Sequence, residues 1–227
     1  MIREYLTARS PMRMLEKGLH GGLGPGNLGV VLAGHGVGKS AFLVGLALDE
    51  LIRNRNVLHV ALAQTVAHVR AYYDTVFDDL SSETQLEDSA AVHAEVDRRR
   101  SIRVYASEGF HVGKLREALE LGAETGAPPS VVIVDGAESL AATDVKALRE
   151  LADEGGLEMW LAVACGDEQV QGLPERLQAA ADHVSVILTL EPGRDAVALR
   201  ALKDHDSQDV SALHVALDPR SLLLIRN

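Results

Sequence analysis

Leu28-Gly29-Val30-Val31-Leu32-Ala33-Gly34-His35-Gly36-Val37-Gly38-Lys39-Ser40-Ala41 is the stretch whose reading decides the fold. Leu28 to Ala33 is a compact apolar run that ends at a glycine loop, which predicts a buried strand. From Lys39 to Arg53, Phe42, Leu43, Leu46 and Leu51 recur at helical spacing and predict a helix. Between the two, Ala33 to Ser40 fits the phosphate-binding-loop pattern, with Ala33 in the place of its first glycine.

The chemistry requires these residue types at this spacing. Glycines let the backbone turn so that successive N–H groups point inward onto phosphate oxygens. The helix that follows adds the positive end of its dipole. Lys39 supplies a point charge for the β- and γ-phosphates, and Ser40 a hydroxyl for Mg²⁺. Gly34, His35, Gly36, Val37, Gly38, Lys39, Ser40 and Ala41 are therefore the candidate nucleotide-binding residues, with ATP and Mg²⁺ as cofactors. An Asn-Lys-x-Asp guanine-reading motif is absent from the sequence, which favours ATP over GTP.

Further along, Val131-Val132-Ile133-Val134-Asp135 is an unbroken apolar run ending in an acid. A carboxylate at the tip of a buried parallel strand can hold the hydration shell of Mg²⁺, so Asp135 joins Ser40 as a candidate metal residue. Strands are also expected at Val57–Ala63, Ile102–Ala106 and Leu157–Cys165, and helices at Val66–Leu80, Val112–Glu124, Ala142–Asp153 and Pro174–Ala181. The polar stretch Ser81–Arg100 reads as a helical excursion or a mobile insertion. Val184–Leu190 and Ala196–Leu202, around Glu191-Pro192-Gly193-Arg194, give a hairpin signal, and Leu213–Leu217 and Leu222–Ile225 follow. The expected fold is α/β: a mostly parallel central sheet flanked by helices, with antiparallel strands at the C-terminal end. Residues 1–17 read as a short polar N-terminal segment and 18–227 as a single domain.

The bulk numbers agree with a globular chain of 227 residues. Hydrophobic residues make up 47% and charged residues 24%, so a sizeable core is expected. The net charge of −11 repels polyanions at long range and disfavours a nucleic-acid partner. Arg98-Arg99-Arg100, the one dense basic cluster, reads as a solvated helix end, without interleaved aromatics for stacking bases. Cys165 is the single cysteine, so an internal disulfide is excluded, and the nine histidines show no i, i+4 pairing of zinc type. No apolar run approaches the roughly 20 residues that span a bilayer, and the cytoplasm is the expected location.

These motifs together resemble the RecA superfamily, especially its KaiC-like and RadA-like members and the DnaB-type helicase cores. The likeness rests on Gly21-Gly22-Leu23-Gly24-Pro25-Gly26-Asn27-Leu28, similar to the family's lead-in to its phosphate-loop strand, and on Val131 to Leu140, similar to its Walker B strand and turn. Leu177 to Lys203 is similar to its C-terminal β region. The resemblance implies a RecA-like P-loop NTPase fold with the loop strand beside the Leu157–Cys165 strand, binding of MgATP, and often a ring or filament of subunits.

Two positions depart from that family. Its water-polarising glutamate ends the second strand, where this chain has Ala63 followed by Gln64. Neither is a base. Gln64 can orient a water, and Glu138 is the other candidate catalytic residue. In Lys203-Asp204-His205-Asp206, His205 replaces an arginine that in many relatives acts on a neighbour's nucleotide. The expectation is a MgATP-binding regulatory or assembly protein with slow or absent hydrolysis, partnered by its own copies or another protein. The alternatives are a DNA-handling ATPase and a non-catalytic interaction module.

Overall fold

The computed structural model describes residues 10–166, 170, 172–207, 210 and 213–227. At its centre lies β1 (Asn27–Ala33), with every residue after Asn27 buried. β1 pairs in parallel with β5 (Glu158–Ala164) on one side and β6 (Val186–Pro192) on the other. β4 (Val131–Asp135), β2 (Val57–Leu62) and β3 (Arg100–Tyr105) continue the sheet in parallel beyond β5. Beyond β6, the strands β7 (Val197–Asp204), β8 (Val215–Leu217) and β9 (Leu224–Arg226) pair antiparallel. Among the described residues the sheet has nine strands in the order β3-β2-β4-β5-β1-β6-β7-β8-β9.

Continuous apolar strands such as β4 require cover on both faces. One face packs against α1 (Pro11–Gly18), α2 (Lys39–Ile52), α3 (Val66–Thr84) and α4 (Ser89–Arg99). The other packs against α5 (Val112–Glu124), α6 (Ala142–Gly155) and the short α7 (Glu175–Gln178). Alternation along each strand divides the core. Val131 and Ile133 face α2 and α3, whereas Val132 and Val134 face α6. α2 is the central helix: eleven of its fourteen residues are buried, and Phe42 meets Trp160 edge to face at 6.3 Å.

The structure differs from the sequence expectations in places. Residues 11–17 of the segment read as polar form α1 together with Gly18. Ser10 caps it by accepting from the Met12 N–H at 3.2 Å, Pro11 opens it, and Met12 and Leu15 are buried at i, i+3. Residues 1–9 of that segment lie outside the described residues. Of the two readings of Ser81–Arg100, the helical one holds. α3 runs on to Thr84, Gln85 turns left-handed at φ 50°, and α4 follows with Val92 and Val96 buried. The helix expected at Pro174–Ala181 shrinks to α7 and a 3₁₀ turn at Ala181–His183. Among the described residues no helix is long and apolar enough to cross a membrane.

Candidate functional site

The loop 34–38 joins the tip of β1 to the first turn of α2. Gly36 and Gly38 take φ of 73° and 118°, a region closed to most side chains. His35 and Gly36 are exposed, and Gly34, Val37 and Gly38 half-buried, so the turn opens at the surface. Gly38 caps α2 without a side-chain hydrogen bond. The N–H groups of the first helical turn and the positive end of the dipole therefore sit at this loop.

Lys39, at the head of α2, is only 9% exposed. Its Nζ donates to the Ala33 carbonyl at 3.2 Å and the Gly34 carbonyl at 2.9 Å, two of the three bonds an ammonium can make. Burial lowers its pKa below the usual lysine value, while Glu138, Asp135 and Cys165 act in the opposite direction. Glu138 leads those opposing groups from the 3₁₀ turn Ala137–Ser139, which Gly136 enters with φ 85°. Ala41, also a candidate, has its side chain fully buried in the core, so only its backbone can face a ligand.

Ser40, Gln64 and Asp135 come together in a cleft of ≈ 220 Å³, lined also by Val44, His59, His68, Val69 and Tyr72. Asp135 is 4% exposed, and the Gln64 amide donates to its carboxylate at 3.3 Å. The sheet dictates this meeting. Ala61 of β2 pairs with Asp135 at the tip of β4, and Gln64 lies just beyond the end of β2. Glu138 is not among the cleft residues and acts on Lys39 instead. Ala63 is exposed in a left-handed conformation, φ 57°, and its N–H donates to the Tyr105 carbonyl at 2.9 Å.

Sequence reasoning missed the inner wall of the cleft. His59 lies two residues before Ala61 and so shares its face of β2. It is 1% exposed, and its Nδ1 lies 3.0 Å from the hydroxyl of the fully buried Tyr73. Arg100, at the head of β3, holds its guanidinium carbon 4.4 Å from the Tyr73 ring centre. Burial pushes the His59 pKa down to about 4, with Asp135 opposing and Arg100 assisting, so its imidazole is neutral at pH 7. Tyr72 has its pKa raised, first by burial and then by Asp135. The available signal was a lone histidine inside the apolar run Val57–Leu62.

The remaining candidates are engaged within the chain. Lys203 donates to the Ala181 carbonyl at 2.9 Å. The two ring nitrogens of His205 meet Asp204 Oδ1 at 2.8 Å and the Leu23 carbonyl at 3.0 Å, which leaves neither for a metal clip. Arg98 pairs with Glu95, Arg100 with Asp97, and Arg99 donates to the Asn54 carbonyl at 3.2 Å, so the basic run is largely answered by its own chain. Cys165 is half-buried beside β1, its N–H donating to the Ala33 carbonyl at 2.9 Å. No protein-family model matches the chain, and no curated protein matches it. The chemical content of the site is a left-handed glycine turn at a helix N-terminus, a half-desolvated ammonium, and a hydroxyl and a carboxylate across one small cleft.

Proposed function

We propose that the chain is a MgATP-binding regulatory or assembly protein on a RecA-like, KaiC-like fold, with slow or absent hydrolysis. One observation carries the reading: Lys39 and the left-handed Gly36 and Gly38 stand at the N-terminus of α2, with the buried Asp135 across the cleft from Ser40. The placement of β1 beside β5 in the sheet supports the fold reading.

In this reading the backbone N–H groups of residues 34–41 bind the phosphates, and Lys39 exchanges its loop carbonyls for phosphoryl oxygens. Ser40 and Asp135 fit a hard cation, since they bring a hydroxyl and a carboxylate oxygen to one cleft. Bound there, Mg²⁺ would supply Lewis-acid neutralisation of phosphate charge. Gln64, held by its bond to Asp135, orients a water but cannot take its proton. With Ala63 just past the end of β2 and no carboxylate other than Asp135 in the cleft among the described residues, turnover is slow. The output is then nucleotide-dependent change of shape or assembly with its own copies or a protein partner.

A phosphate-release assay beside an equilibrium titration with a fluorescent ATP analogue tests this. The expected result is saturable, Mg²⁺-dependent binding with release far below one phosphate per second, against a median enzyme near 10 s⁻¹. Rapid turnover would refute the slow-hydrolysis part, and no binding would refute the whole.

A further inference from the structure

His59 carries an unexplained polar atom. Its Nε2 is buried and has no hydrogen-bond partner among the described residues. Orphaned buried donors and acceptors are costly and rare, so each calls for a cause. The tautomer follows from counting partners. If the Tyr73 hydroxyl donates to Nδ1, one orphan remains, the Nε2–H. If Nδ1–H donates to the hydroxyl instead, both the phenol proton and Nε2 are orphaned. The first arrangement leaves fewer unmet groups, so Tyr73 fixes His59, a residue of the cleft wall, with a buried and unpaired Nε2–H.

The cleft tells what that donor meets. It has on its wall the carboxylate of Asp135, the amide of Gln64 and the hydroxyls of Ser40 and Tyr72. Its ≈ 220 Å³ is below the range of drug-sized pockets and equals about seven waters at roughly 30 Å³ each. Mg²⁺ gives up its waters reluctantly and is held partly through them. His59 and Asp135 lie on one face of adjacent strands, through the Ala61–Asp135 pair.

We infer that His59, fixed by Tyr73, is a positioning residue for the cation: its Nε2–H donates to a water of the hydration shell of Mg²⁺ held at Ser40 and Asp135. The inference rests on the MgATP reading above. A metal site that stops at its direct ligands lacks orientation, and removal of an outer partner typically weakens metal binding 10- to 100-fold. His59 supplies that support from β2, and Tyr73 steadies it from α3.

The test measures the Mg²⁺ concentration that half-saturates binding of a fluorescent ATP analogue, with binding in EDTA as the baseline. His59→Phe is expected to raise the Mg²⁺ requirement about ten-fold, read relative to the same variant's own binding in EDTA. His59→Gln, which keeps a donor, restores part of it, and Tyr73→Phe shifts it in the same direction by a smaller factor. A purely structural role would weaken binding alike with Mg²⁺ and in EDTA, without a selective shift in the Mg²⁺ requirement. An unchanged Mg²⁺ requirement in folded His59→Phe overturns the inference and leaves the nucleotide reading standing. If His59→Phe does not fold, Tyr73→Phe decides in its place: no shift there overturns the inference. Absence of nucleotide binding by the wild-type chain removes the parent reading and this inference with it.

Discussion

A β-carbon added to Gly29 would lie 2.5 Å from the ring of Trp160, its partner across the β1–β5 pair. The ring is fixed in the core against Phe42 and cannot retreat cheaply. Gly29→Ala should therefore lower stability by about 1–3 kcal/mol, seen as a lower urea midpoint at constant slope. His59 gives a second residue-scale expectation. Its folded pKa is pushed down to about 4, while an unfolded histidine titrates near 6.5. Between these values the unfolded chain binds a proton that the folded chain refuses. The stability linked to neutral His59 is complete above about pH 6.5 and is lost as pH falls toward 4. Asp49 runs the other way, because burial raises its carboxyl to about 6. Comparing wild type with His59→Phe cancels Asp49: wild type should lose a few kcal/mol relative to the variant from pH 7 to pH 4.5. Parallel pH profiles of urea unfolding would refute this. The sequence pointed to Lys39 and Ser40 by motif spacing and to Asp135 by its place at the end of an apolar run, and the fold brings Ser40 and Asp135 to one cleft. His59 could not be picked out that way, because its surroundings come from Tyr73 and Arg100, which the fold brings to it from other elements.

At the scale of elements, the legible parts are those with a strong period or an unbroken apolar run. β1, β2, β4 and β5 fall within a residue or two of their expected bounds, as does the β6–β7 hairpin. α1 was not legible, since an eight-residue helix with two buried side chains gives hardly two turns of pattern. Its place is set by tertiary partners instead. Leu15 is 3% exposed in the core, Arg13 pairs with Asp49 and Glu16, and Arg53 reaches Glu16 at 2.9 Å. The partly exposed pairs to Glu16 contribute little, and Leu15 is the apolar side chain of α1 most fully buried in the core. Leu15→Ala is expected to cost about 2–5 kcal/mol. A loss below 0.5 kcal/mol in urea unfolding would show that α1 is not part of the core.

For the whole molecule, the order β3-β2-β4-β5-β1 could not be read from spacing, because each crossover helix permits several neighbours. The class could, since βα units followed by hairpins imply a parallel sheet with an antiparallel end. That order brings the Asp135 tip of β4 and the end of β2 to the same edge as the β1 loop, making one site from segments about a hundred residues apart. A ligand that binds only the folded state stabilises it by about 2.7 kcal/mol at a hundredfold excess over Kd. For a chain of this size each kcal/mol moves the melting temperature by about 2–4 °C. The most direct test is the melting temperature with and without saturating MgATP, in wild type and in Lys39→Ala. The expected result is a rise of about 5–10 °C in the wild type that disappears in the variant. An equal rise in both proteins, or none in a cooperatively folded wild type, would contradict a triphosphate seated on the Gly34–Ser40 turn.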